Sequence, residues 1–236
     1  MADAGYDPDL WQADLLRSDA ARVLMLTCRQ AGKSTTAGFL ALREALFRDA
    51  STVLVVSAAQ RQSAELVRRV SDATARLGDV VGLTGQSVLQ LSFANRSRII
   101  ALPASESGIR CYTADMVVID EAARIPDPLV AAVRPMLAVS GGKLVALSTA
   151  FAKSGFFYEQ WTGPEAWARV RVSAGDCPRI PRDFLEEERR ALGPRWYAME
   201  YECEFGDDIA AVFSSDDIRQ AVSADVRPLF PVGGAS

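Results

Sequence analysis

The sequence predicts an α/β fold, with a mostly parallel central sheet flanked by helices and a small lid subdomain after it. Three observations predict it. Apolar, β-branched runs of buried-strand length recur at 22–26, 52–57, 116–119 and 143–147, separated by helix-compatible segments. Three of those runs end in residues that carry chemistry: Thr27 with the loop after it, Asp120-Glu121, and Ser148-Thr149. Beyond residue 150 the alternation changes, and two short helical patterns surround one strand candidate.

Taken in order, Asp7 and Pro8 read as the start of a helix over 8–17, which carries Leu10, Trp11, Gln12 and Leu15. The strand 22–26 runs into a glycine-containing loop and a helix reaching about residue 49. A second strand, 52–57, precedes an amphipathic helix over 60–77, with Ala64, Val67, Val70 and Leu77 on one side. Residues 87–95 alternate, with Leu89, Leu91 and Phe93 on one face. Asn95-Arg96-Ser97 then turns into 98–102, which predicts a hairpin. The strand 116–119 ends in the two acids. A helix over 128–139 is closed by Gly141-Gly142 ahead of the strand 143–147. Short helices over 156–161 and 181–192 around a strand at 168–172 form the expected lid. The division is thus one α/β domain over 1–205, with the lid in 151–205, and a Pro/Gly-containing linker over 206–236.

Composition narrows the chemistry. Of the 236 residues 49% are apolar and 24% charged, ordinary for a globular chain, and the length suffices for a full core. No apolar run approaches a membrane span and the N-terminus is acidic, so a cytoplasmic protein with no membrane partner is expected. Histidine is absent, which excludes histidine acid–base catalysis. Cys28, Cys111, Cys177 and Cys203 are widely spaced and predict neither a zinc site nor a disulfide framework. The net charge of −4 argues against a surface coated for nucleic acid but leaves room for a local basic strip; Arg61, Arg68, Arg69 and Arg76 recur along one segment and read first as a solvated helix face.

The loop from Thr27 to Ser34 has the layout of a phosphate-binding loop, strand then glycine turn then Lys-Ser then helix. Its N–H groups and the helix N-terminus converge on an anion, Lys33 reaches the β/γ-phosphates, and the Ser34 hydroxyl meets Mg²⁺. Thr27 replaces the usual first glycine, making this a variant. Gln30, Ala31, Gly32 and Thr35 complete the nucleotide-binding set. At the end of a strand, successive side chains point to opposite faces, so Asp120 and Glu121 can do different work. Asp120 would hold the metal opposite Ser34, and Glu121 would polarise a water for attack on the γ-phosphorus. The glutamate after the aspartate, with the strand 52–57 intervening in sequence, points to the ASCE-type group of P-loop NTPases.

Together these stretches resemble the large terminase subunit, the DNA-packaging motor of tailed bacteriophages. Residues 28–35 are similar to that family's variant Walker A. Residues 98–104, 109–112 and 116–123 resemble its run into Walker B, 147–150 its coupling motif, and 196–205 the segment closing its ATPase portion. The resemblance implies an ATP- and Mg²⁺-dependent motor for double-stranded DNA, a homo-oligomeric ring when assembled, with a monomer as the alternative in isolation. Portal protein and small terminase subunit are the implied partners, and the infected host cytoplasm the location. It makes Trp11-Gln12 similar to an adenine-recognising motif, Ser148 and Thr149 coupling residues, and Arg110 a trans-acting arginine finger. Arg29, inside the loop, is a cis candidate or a structural hydrogen-bonding group. Cys111 departs from a frequent glycine. After Phe205 the chain is too short for the family's nuclease, so Asp207-Asp208 and Asp216-Asp217 are expected to be linker acids and no DNA cleavage is expected. A helicase-like motor, or a non-catalytic nucleotide-binding module, are the competing readings.

Overall fold

The structure is a computed structural model and describes residues 1–103 and 112–207. Its centre is one sheet of eight strands in the order β3-β4-β5-β2-β6-β7-β1-β8. In chain order these are β1 (Arg22–Thr27), β2 (Thr52–Ser57), β3 (Leu83–Gln86), β4 (Gln90–Phe93), β5 (Arg98–Pro103), β6 (Met116–Asp120), β7 (Lys143–Ser148) and β8 (Ala168–Val172). The six strands from β5 to β8 in that order are parallel neighbours, while β3 and β4 pair antiparallel at the edge. The expected hairpin is β4–β5, joined in register from Gln90↔Ile100 to Ser92↔Arg98.

The helices are α1 (Leu10–Arg17), α2 (Lys33–Phe47), α3 (Gln60–Leu77), α4 (Asp127–Val133), α5 (Gly155–Thr162) and α6 (Arg182–Tyr201). Strand residues alternate between two cores, as parallel strands covered on both faces require. Val23, Met25, Val53, Val55, Met116, Val118, Val145 and Leu147 pack under α2 and α3. Leu24, Leu26, Leu54, Val56, Val117, Ile119, Leu144 and Ala146 pack under α4, α5 and α6. On α3 the buried stripe is Ser63, Leu66, Val67, Val70, Ser71, Ala73 and Thr74, so Leu66 rather than Ala64 faces the core.

Spatial strand order does not follow chain order, and one placement differs from the expectation. The strand lying between β1 and β6 in space is β7, while β2 lies on the far side of β6. And the strand candidate of the expected lid is β8, which joins the main sheet beside β1 from Val23↔Ala168 to Thr27↔Val172. The helix after it is longer than expected: α6 runs on to Tyr201 past a break at Gly193 (φ 73°) and Pro194. The helix expected over 128–139 gives way at Arg134 to a tighter turn, Arg134–Leu137. Arg110, Cys111, Asp208, Asp216 and Asp217 lie outside the described residues.

Candidate nucleotide site at the carboxyl edge of the sheet

Parallel strands bring their carboxyl ends to one edge, where ligands of open α/β sheets bind. Here that edge gathers the loop after β1, the acids ending β6, and Ser148-Thr149 after β7. A cavity of about 660 Å³ opens there, lined by Arg29, Gln30, Gly32, Lys33, Ser34, Thr35, Glu121, Thr149, Arg124, Gln62 and Arg69.

The loop owes its shape to two left-handed residues, Gln30 (φ 64°) and Gly32 (φ 88°). Its shoulders are anchored by Cys28 N–H on the Val172 carbonyl (2.8 Å) and Arg29 N–H on the Glu200 carbonyl (2.9 Å). Thr36 N–H makes the first helical bond, to the Gly32 carbonyl at 2.9 Å; the N–H groups of Gly32 to Thr35 find no protein acceptor among the described residues. Unsatisfied donors at a helix start, with the positive end of the macrodipole, form a ready anion cradle.

Around it the two acids at the end of β6 point different ways, Asp120 as the last strand residue and Glu121 in the turn beyond it. Asp120 shares its face with α2, and the Ser34 hydroxyl donates to its Oδ2 at 3.5 Å. Glu121 turns the other way: Lys33 Nζ lies 3.0 Å from Oε1, and the Ser148 hydroxyl donates to Oε2 at 3.5 Å. Glu121 has a left-handed backbone (φ 52°), and its N–H donates to Asp120 Oδ1 at 3.0 Å. A non-glycine residue held there stores strain on the order of 1–3 kcal/mol, which is common at functional sites. Burial and the Glu121 charge push the Asp120 carboxyl up to about 6. A buried acid whose charge is poorly offset, with a hydroxyl beside it, is an oxygen donor set suited to a hard divalent cation.

Arg29 is committed elsewhere. Its Nε and Nη2 reach the Glu200 carboxylate at 2.7 and 3.2 Å, and that carboxylate holds its guanidinium protonated above the ordinary range. Gln12 is buried behind the loop rather than in the cavity lining. Its Oε1 accepts from Asp9 N–H at 3.0 Å and its Nε2 donates to the Thr36 hydroxyl at 2.9 Å. Ala31 is buried too, its carbonyl accepting from Arg179 at 3.1 Å. Both residues therefore support the loop from behind. Thr149 lines the cavity, while Ser148 is fully buried, its hydroxyl donating to Glu121.

Linear reading missed Arg124, Phe151, Arg179 and Glu200. Arg124 follows Glu121 by three residues, a weak signal; the others approach from segments with no phosphate-binding pattern. Cys28 and Cys177, far apart in the chain, meet with sulfurs 3.9 Å apart. The Cys177 contact and burial push the Cys28 thiol up. Among the described residues no cluster of His, Cys, Asp or Glu has the make-up of a multi-ligand metal centre.

An anion-cradling loop, a lysine and serine at its helix start, and an Asp-Glu pair on a neighbouring parallel strand define a P-loop NTPase fold of the ASCE type. Residues 24–220 match the family described as "Terminase large subunit, T4likevirus-type, N-terminal", and the chain belongs to it. Large terminase subunits of Thermus phage G20c and Thermus virus P23-45 are each 25% identical over 91% of the chain. The chain spans about half (52%) of the length of these relatives. The large terminase ATPase domain of Thermus phage P74-26 superposes with a TM-score of 0.76 at 25% identity, covering 86% of this chain and 96% of that one. The large terminase of another thermophilic bacteriophage, solved in complex with ADP, shares the fold (TM-score 0.73, 14% identity, 83% of this chain and 53% of that one).

Proposed function

We propose that this chain is the ATP-hydrolysing motor portion of a large terminase, driving double-stranded DNA into a procapsid. The observation that carries this is the convergence of Lys33, Ser34, Asp120 and Glu121 from two distant segments, at 3.0 and 3.5 Å, with Lys33, Ser34 and Glu121 lining one polar cavity. Lys33 and Glu121 pair with each other at 3.0 Å. A triphosphate seated on the loop N–H groups would draw Lys33 to its β/γ oxygens and release Glu121. The freed carboxylate, steadied by the Ser148 hydroxyl, then accepts a proton from the attacking water. Ser34 and Asp120 would hold Mg²⁺, whose charge offsets that building on the phosphoryl oxygens.

The remaining assignments are read in the same frame. Gln12 offers at most its second amide N–H to an adenine, and its present bonds make it chiefly a support of the loop. Of residues 151–205, β8 is fixed in the sheet, and α6, which brings Glu200 to Arg29, is the part that would close over nucleotide. Arg29 reaches phosphate after leaving Glu200, and Arg110 acts in trans within a ring. Portal protein and small terminase subunit are the proposed partners, and the host cytoplasm the site of action. No helix among the described residues is long and apolar enough to cross a membrane.

Phosphate release by the 236-residue chain, with Mg²⁺ or with excess chelator, tests this reading. Turnover should require Mg²⁺, and Ser34→Ala and Asp120→Asn should each raise the Mg²⁺ concentration for half-maximal rate. Chelator-resistant turnover, or nucleotide binding with no hydrolysis in any condition including added linear DNA, would remove the catalytic assignment.

A further inference from the structure

Three arginines line the cavity beside Lys33, and their situations differ; Arg69 is paired with Glu65 on its own helix, Nε to Oε1 at 3.4 Å. Arg29 spends two donors on Glu200, at 2.7 and 3.2 Å. Arg124 lies on the short turn Ala122–Arg124 that follows Glu121, and its N–H bonds back to the Glu121 carbonyl at 2.9 Å. Its guanidinium carbon sits 4.2 Å from the centre of the Phe151 ring. Its Nη2 is 3.9 Å from Glu200 Oε1, an ion-pair distance too long for a hydrogen bond. Among the described residues, no acceptor lies within hydrogen-bonding reach of its guanidinium. The side chain is 37% exposed and lines the cavity with Lys33, Glu121 and Thr149.

An aromatic face holds the plane of a guanidinium without consuming its in-plane N–H donors. Arg124 is therefore oriented yet uncommitted. A phosphate oxygen would compete only with the long 3.9 Å contact to Glu200, whereas Arg29 must first leave a two-pronged ion pair. Position points the same way. Glu121 must face the terminal phosphorus to activate water, and Arg124 is fixed to the turn that begins at Glu121.

We propose that Arg124 is a cis-acting arginine that contacts the terminal phosphate and makes the site prefer triphosphate over diphosphate. This rests on the nucleotide site proposed above and adds to it the residue that senses the third phosphate. Because Phe151 follows Thr149 by two residues, the same contact ties nucleotide state to the segment leaving β7.

The test uses the whole 236-residue chain, with mant-ADP as the fluorescent probe displaced by ADP or by ATPγS, alongside phosphate release. Arg124→Ala should weaken ATPγS by roughly tenfold or more and ADP by no more than about twofold. Its kcat should fall by roughly 10²–10³. Arg124→Lys restores the charge without the planar fork and should recover part of the ATPγS preference. Phe151→Leu keeps the arginine but frees its plane, and should lower kcat while leaving ADP affinity intact. An unchanged ATPγS-to-ADP ratio in Arg124→Ala would overturn the assignment, as would equal weakening of both nucleotides, which marks a mere wall of the cavity. Wild type that binds neither nucleotide is a distinct result; it would overturn the site itself and this assignment with it.

Discussion

Replacing Glu121 with glutamine should move nucleotide binding and turnover in opposite directions. The change keeps the side-chain shape and removes one charge. Lys33 Nζ and Glu121 Oε1 are 3.0 Å apart, with side chains only 14% and 22% exposed. At an effective dielectric of about 20, that attraction is on the order of 5 kcal/mol before the cost of removing both ions from water. Desolvation offsets most of it, leaving roughly 1 kcal/mol that a triphosphate must overcome to recruit Lys33. Glu121→Gln removes that competition, so ATPγS should bind about fivefold tighter. Asp120 loses the like charge that, with burial, pushes it up to about 6, and so ionises more readily for the metal. Without a carboxylate to take the proton from water, turnover should fall by roughly 10²–10⁴. Equilibrium titration with mant-ATPγS and single-turnover phosphate release measure the two effects separately. A variant with turnover within about threefold of wild type, or with weaker binding, would show that Glu121 is a structural partner of Lys33 and not the residue that activates water.

Two further perturbations test the scaffold. Gly32→Ala places a methyl group 2.9 Å from Gln12 Nε2 at a φ of 88°. It should cost about 1–3 kcal/mol and abolish mant-nucleotide binding, with Gly38→Ala as a control that alters α2 away from the loop. Phe157, 1% exposed on α5 and stacked on Trp161, belongs to the core that seats α5 and α6 against the sheet. Phe157→Ala should destabilise by about 3–5 kcal/mol, and thermal melting followed by circular dichroism should show a fall of roughly 6–20 °C.

Much of the fold was legible because buried parallel strands are short, apolar and β-branched, and every such run became a strand of the sheet. The phosphate loop and the Asp-Glu pair were legible for a related reason. Their pattern is one of residue types at fixed local spacing, and the two acids do diverge, Asp120 towards Ser34 and Glu121 towards Lys33 and Ser148. It is the left-handed backbone at Glu121, just past the end of β6, and not strand alternation, that turns the second one. Gln12 was harder to read. A glutamine amide suits an adenine edge and a helix-capping turn equally well, and only the position of Thr36 shows which bonds it makes.

The sequence by itself thus determined most of the elements, though not β3, and marked the candidate groups of the site, since both follow from interactions within a few residues. Only the tertiary structure decided the neighbours. It set β7 between β1 and β6, drew β8 into the main sheet beside β1, and carried Glu200 across the chain to Arg29. It also laid Arg124 on Phe151. Strand order and such long-range meetings come from how two apolar faces are covered at once, which no local pattern of residues encodes.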